Sequence, residues 1–223
     1  MRLPRPVVGV VFDMDGLLID TETAWRDAQM DEARACGHDL PLSVVHSMIG
    51  LPWPQNQDKL REHFGTRIDV EAYIEAAGRR YQAVKHRGVA LKTGVVELLD
   101  LLDALDLPRA IATSSARPVV IDHLGPAGLL PRFHAIVAQG DYARGKPHPD
   151  PFLTAAKAIG LSPGDCLALE DSHNGVRSAH AAGMMTVMVP DLLPATAEIG
   201  GLCVAVLETL HHVREALIAS RAP

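Results

Sequence analysis

Four short polar clusters in this chain stand at the ends of apolar runs, and each carries residue types that can do chemistry. The first is Phe12-Asp13-Met14-Asp15-Gly16, where two carboxylates two residues apart follow an apolar stretch. Buried charge is costly unless it is compensated, commonly by a cation. Paired acids in such a place imply a metal, a catalytic pair, or both; the plainer alternative is that they cap the next helix. Gly16 allows a tight turn away from the strand. The second cluster is Thr113-Ser114-Ser115, just ahead of a helix expected near Pro118. Hydroxyls and free backbone N–H groups at a helix start can bind an anion, though serine also serves as a plain N-cap. The third is Gly145-Lys146-Pro147-His148-Pro149-Asp150-Pro151, which sets a lysine among backbone-stiffening prolines. A lysine so placed is a compact point charge for a phosphate, or else a solvated turn residue. The fourth is Glu170-Asp171-Ser172 after Leu167-Ala168-Leu169, again two acids closing an apolar run. Hard cations such as Mg²⁺ favour such oxygens, and the N-cap alternative applies here too. Asn174 and Gly175 read as a turn before the following helix.

These clusters need elements that bring them together. Val7–Asp13 is a continuous β-rich apolar run, as expected of a strand buried on both faces. Arg109–Thr113, Ala135–Val137, Cys166–Glu170 and Met184–Val189 read alike. Helical spacing lies between them, at Val95–Leu105, Pro118–Leu124, Pro151–Ile159 and Val176–Ala182, and Val204–Ile218 reads as a closing helix. Alternating strand and helix predicts a doubly wound parallel sheet whose strand C-terminal ends share one edge, where ligands bind. The stretch from about Leu18 to Gly88 breaks this rhythm. It reads as four helices, about Glu22–Cys36, Leu42–Met48, Gln55–His63 and Val70–His86. Gly37, the Leu51–Pro54 segment and Gly65 separate them. Inserted after the first strand, these helices belong where a lid would sit.

The bulk composition narrows the partners. The 223 residues carry a formal net charge of −6, and aromatics make up 4%. Neither a basic field nor a base-stacking platform for nucleic acid is expected, and the charge gives no attraction to an anionic membrane. An anionic substrate must therefore be attracted locally. Cys36, Cys166 and Cys203 are far apart and odd in number, which argues against a disulfide framework or a zinc knuckle. No run approaches the roughly 20 apolar residues of a membrane span. A cytoplasmic protein is expected, monomeric with a dimer as the alternative.

The motifs together resemble the haloacid dehalogenase superfamily, in particular its helical-cap phosphatases and β-phosphoglucomutases. The resemblance rests on Asp13-Met14-Asp15-Gly16 with Leu17–Glu22, on Gly145-Lys146-Pro147 with Pro149-Asp150 and Phe152, and on Leu169-Glu170-Asp171-Ser172 with Asn174-Gly175. Thr113-Ser114 matches more loosely. The resemblance implies an α/β, doubly wound, parallel Rossmann-like core of residues 1–17 and 89–223, with an inserted four-helix cap of residues 18–88. It implies Asp13 as nucleophile and Mg²⁺ ligand. Asp15 would be general acid/base, with its carbonyl on the metal. Thr113, Ser114 and Lys146 would hold the phosphate, Asp171 would ligate the metal, and Glu170 would ligate or support it.

That chemistry is a carboxylate attacking a phosphate ester through an aspartyl-phosphate, with Asp15 protonating the leaving oxygen. Asp15 would need a raised pKa for that role. A dehalogenase has no need of a second acid, so Asp15 favours phosphoryl transfer. The mutases carry a histidine after the first motif and a basic residue in the cap loop. Trp25 and the cation-free Leu51–Pro54 segment, with Trp53, stand at the corresponding positions. Trp25 and Trp53 are therefore candidate specificity residues, or simply cap core. A phosphatase acting on a small phosphorylated metabolite, by analogy a sugar phosphate, is expected, with the phosphomutase as alternative. A non-catalytic phosphate-binding module would be expected to have lost one of Asp13, Asp15, Lys146 or Asp171. Arg117 and His148 lie close enough in sequence to the motifs to touch a substrate.

Overall fold

The computed structural model describes residues 1–48, 53–85 and 88–221. The chain runs β1 (Gly9–Phe12), α1 (Thr21–Ala35), α2 (Leu42–Met48), α3 (Trp53–Phe64), α4 (Val70–Lys85), α5 (Val95–Ala104), β2 (Arg109–Ala116) and α6 (Arg117–Leu124). It continues through β3 (Ala135–Gln139), α7 (Asp150–Ala158), β4 (Cys166–Glu170), α8 (His173–Ala181), β5 (Met185–Met188), α9 (Ala197–Leu202), β6 (Ala205–Val206) and α10 (Leu210–Arg221). It divides into two compact units, Met1–Ile19 with Leu91–Pro223, and Asp20–Ala90.

The first unit contains the expected doubly wound sheet. Its six described strands lie in the order β3-β2-β1-β4-β5-β6, and every pairing is parallel. β1 is thus the centre from which the order turns outward both ways, the switch point at which such sheets bind ligands. Val10, Val11 and Phe12 are fully buried, which explains why β1 shows no polar alternation. Each such side chain contributes roughly 1.5–3 kcal/mol by leaving water. On one face Val11, Ala112, Val137 and Ala168 pack with Phe152 and Ala155 of α7 and Ala179 of α8. Phe12 meets Phe133 edge-on, ring centres 5.6 Å apart.

The second unit holds α1 to α4. Ala33, Leu40, Val45, Met48, Leu60, Phe64, Val70 and Tyr73 form its core. The Tyr73 hydroxyl donates to the Gln29 carbonyl at 2.8 Å, which satisfies its buried polar tip. Among the described residues, no helix is long and apolar enough to cross a membrane.

Several sequence expectations are corrected. Val204–Ile218 is not one helix: Val206 pairs with Met188 as the edge strand β6, and α10 begins only at Leu210. Two residues of strand are too few to show a period of two. The short helix α9, which contains Gly200 and Gly201, was not expected; the Thr196 hydroxyl caps it by accepting from the Ile199 N–H at 3.2 Å. Trp53 and Pro54 open α3 and do not separate helices. Leu51, Pro52 and His86, which figured in the sequence reading, lie outside the described residues. Asn174 and Gly175 form no turn; both lie in the first turn of α8, capped by Ser172. Thr113-Ser114-Ser115 lie within β2, which extends to Ala116 across an irregular register after Ala112.

Candidate active site

Strand register assembles the site. Phe12 pairs with Ile111 of β2 on one side and with Leu169 of β4 on the other. One residue further along, Asp13 therefore stands beside Glu170, and Thr113 lies further along β2 towards the same edge of the sheet. The Asp13 N–H donates to the Leu169 carbonyl at 2.9 Å, so the backbone of the first acid is fixed by the strand of the last two. Asp13, Glu170 and Asp171 each offer a carboxylate oxygen within 4.8 Å of the others.

Lys146, from the loop between β3 and α7, projects into this group. Its ammonium donates to Asp13 and, at 2.5 Å, to Glu170 Oε1, and it stands 5.1 Å from the centre of the Phe152 ring. Glu170 is completely buried and fully engaged. Its Oε2 accepts from the Asp171 N–H, the Ser172 N–H and the Ser172 hydroxyl, each at 3.0 Å. Glu170 thus shapes the turn that presents Asp171 and holds Lys146 in place.

Two glycines let these groups approach. Gly16 has φ +80, and a Cβ there would lie 2.3 Å from Asp171 Oδ2. At Gly175 a Cβ would lie 1.7 Å from Glu170 Oε1. Gly175 is required for the close passage of α8 over Glu170, and not for the turn that the sequence suggested.

The electrostatics follow from three acids facing one ammonium. Burial pushes the Asp13 carboxyl up to about 8; Lys146 opposes this, while Glu170 and Asp15 add to it. Burial also raises Asp171 well above the usual range, with Glu170 and Asp13 adding to it. Burial alone would lower Lys146, but Asp13 and Glu170 outweigh it and hold its proton more tightly than usual. Three acids on hard oxygen donors thus converge on a single ammonium, and without a further cation burial favours their protonated forms. A divalent cation fits that donor set.

Asp15 stands apart from the three acids. The Ser115 hydroxyl donates to its Oδ2 at 2.7 Å, and Nδ1 of the buried His123 lies 3.9 Å from its Oδ1. Thr113 is buried; its Oγ1 accepts from the Ser115 N–H at 3.0 Å and its carbonyl accepts from the Tyr142 hydroxyl at 3.0 Å. Ser114 is exposed. Arg117 binds the Ile136 carbonyl at 2.9 Å and Asp141 at 2.6 Å. The exposed His148 has its carbonyl taken by the Ser178 hydroxyl at 2.5 Å. In the helical unit, Trp25 packs against Trp53 and Tyr81 with ring centres 6.0 and 5.5 Å apart.

The sequence reading did not single out His123, Tyr142 or Asp191, and it named Ser115 only within the hydroxyl cluster, not as a partner of Asp15. Asp191 follows the buried β5, so the rule that found Asp13 and Glu170, an acid after an apolar run, points to it as well. A lone histidine within a helix carries no such signal.

The chain is similar to known proteins. Residues 10–189 match the family described as haloacid dehalogenase-like hydrolase. Protein CbbY of Cupriavidus necator is 35% identical over 207 residues, covering 83% of this chain and 79% of that protein. Hexitol phosphatase B of Escherichia coli K12 is 30% identical over 206 residues, covering 85% and 86%. The crystal structure of a haloacid dehalogenase family hydrolase from Deinococcus radiodurans, solved with bound phosphate and sodium, superposes with a TM-score of 0.84 at 26% identity over 96% of each chain. A parallel sheet with acids at its switch point, a lysine between them, and a family match across most of its length make this chain a member of the haloacid dehalogenase-like hydrolase family.

Proposed function

We propose that this protein is a Mg²⁺-dependent phosphatase that hydrolyses a small phosphorylated metabolite, a sugar phosphate, through an aspartyl-phosphate on Asp13. One observation carries the reading: the buried Asp13 carboxylate is gripped by Lys146 beside Asp171, at the centre of the sheet. Relatives named as phosphatases of hexitol and fructose phosphates support the substrate class.

In this reading Asp13, Asp171 and the Asp15 carbonyl hold the cation, and Glu170 supports them. Glu170 has one oxygen committed to the 170–172 turn and the other to Lys146, so support suits it better than ligation. The bound cation supplies positive charge against the meeting of two anions, each unit pair of which repels by about 4 kcal/mol at 4 Å and an effective dielectric near 20. Lys146, the Thr113 hydroxyl and the Ser114 backbone N–H receive the phosphoryl oxygens. An Asp13 oxygen attacks phosphorus as the ester bond breaks, and Asp15 gives its proton to the departing oxygen. Asp15 then takes a proton from water, which attacks the aspartyl-phosphate and frees Asp13. The helical unit serves as the cap, with Trp25 and Trp53 as its specificity residues, and the enzyme works in the cytoplasm.

The test is phosphate release from a panel of sugar phosphates, with Mg²⁺ and with EDTA, for the wild type and Asp13→Asn. Mg²⁺-dependent release lost in Asp13→Asn is the expected result. Undiminished release by the variant overturns the nucleophile. Conversion of β-glucose 1-phosphate to glucose 6-phosphate without net release identifies the mutase instead.

A further inference from the structure

Asp191 lies just beyond β5, in a segment pinned where the Val189 N–H donates to the Glu170 carbonyl at 2.7 Å. Its side chain is only 7% exposed. One oxygen, Oδ1, pairs with Lys92 at 2.6 Å. The other, Oδ2, is buried with no hydrogen-bond partner among the described residues. A buried carboxylate oxygen without a donor bears its full desolvation cost, so it calls for a donor. Its direction is set by Gly16: a Cβ built there would lie 3.3 Å from Asp191 Oδ2 and 2.3 Å from Asp171 Oδ2. Both oxygens thus flank the same turn, and Asp191 lies near enough to Asp171 to act on its carboxyl. It is not one of the three residues whose oxygens lie within 4.8 Å of one another. It stands too far out to share an ion with them directly.

We infer that Asp191 is an outer-sphere residue of the metal site, its Oδ2 accepting a hydrogen bond from a water on the cation, with Lys92 tempering its charge. The inference rests on the metal-dependent reading above. Mg²⁺ keeps several of its waters when protein carboxylates bind it, and those waters need acceptors. Partners at one remove from a metal typically change affinity 10–100-fold when removed. Lys92 makes the idea separable from a purely structural ion pair. Replacing Asp191 with Asn removes the negative charge and turns one acceptor oxygen into a donor, whereas removing Lys92 takes away a positive charge beside the same site. The two changes should act on the metal in opposite directions.

The experiment is calorimetric titration of the full chain with MgCl₂, with melting temperature followed in parallel. Asp191→Asn should raise the Kd for Mg²⁺ roughly tenfold, and Lys92→Met should lower it severalfold. A Kd within about twofold of wild type in Asp191→Asn, or a shift in the same direction in both variants, overturns the inference. Should Asp191→Asn fail to fold, the sign of the Lys92→Met shift decides alone: tighter binding supports the inference, and unchanged or weaker binding overturns it. Asp171→Asn separates the two levels of argument. If wild type binds Mg²⁺ and Asp171→Asn does not, the metal reading stands whatever Asp191 does. If wild type does not bind Mg²⁺, both fall.

Discussion

Gly175→Ala should be one of the most damaging conservative substitutions in this protein, although it places a better helix former in a helix. In an open helix the change stabilises by about 0.5–1 kcal/mol. Here the new Cβ would fall 1.7 Å from Glu170 Oε1, 1.8 Å from its Cδ and 2.1 Å from its Oε2. The carboxylate cannot swing aside freely. It is completely buried and holds Lys146, two backbone N–H groups and the Ser172 hydroxyl. Breaking a buried charged pair by displacing one partner costs about 3–5 kcal/mol, several times the helical gain. At about 2–4 °C per kcal/mol for a chain of this size, a net loss near 3 kcal/mol lowers Tm by about 6–12 °C. Gly78 supplies the control. It lies within α4, and a Cβ there would meet nothing within 4 Å. Gly78→Ala should therefore be neutral or stabilising. Calorimetry or urea unfolding of both variants reads the contrast. Equal behaviour of the two, or a Gly175→Ala protein as stable as wild type, refutes the role given to that close approach.

Two further outcomes follow from the same geometry. Asp13 and Asp171 have folded pKa values above their unfolded ones, Asp13 at about 8 against 3.8. Such a group favours folding below its unfolded pKa, and that contribution fades as pH rises toward the folded value. The metal-free protein should lose stability between about pH 4 and 8, and a cation competing with those protons should raise Tm more at pH 8 than at pH 6. Scanning fluorimetry in MgCl₂ and in EDTA measures this, and a smaller shift at pH 8 contradicts it. Ser115→Ala removes the 2.7 Å hydrogen bond to Asp15 and should lower kcat roughly tenfold with little change in KM; a rise in KM with kcat unchanged would instead place Ser115 in substrate binding.

The parts of this architecture that can be read without coordinates are those in which chemistry and burial conflict. Asp13, Glu170 and Asp171 stand out because each follows an apolar run in which charge is costly, and the structure gathers all three. Lys146 is visible through its prolines, and its ammonium does reach the acids. Asp191 obeys the same rule, but a lone acid after Val189-Pro190 resembles any loop acid until its orphan oxygen is seen. Gly175 illustrates the opposite failure. A glycine after Ser-His-Asn suggests a turn, whereas its need is spatial and comes from Glu170 five residues earlier. The proximity of His123 to Asp15 depends on how α6 packs, which no local pattern encodes. Val204–Ile218 reads as one helix because an edge strand of two residues is specified by its neighbour β5, and not by its own residues.

The central place of β1 also bears on how the protein is made. Both of its neighbours, β2 and β4, come later in the chain; Asp15 meets a partner 100 residues downstream and Asp13 one 133 residues downstream. At roughly 5–20 residues per second, the ribosome needs roughly 5–20 s after β1 before β2 is available, and longer for β4. Throughout that interval Val7–Phe12, an apolar β-branched segment without its ladder partners, is open to pairing with any other exposed strand. The residues of Asp20–Ala90 emerge during this time and have their own apolar core around Phe64. A nascent chain stalled before residue 166 would carry the first acid and a helical unit, with one side of its central strand unprotected. Such truncated chains are expected to aggregate more readily than the full chain, the cellular counterpart of a strand order that begins in the middle.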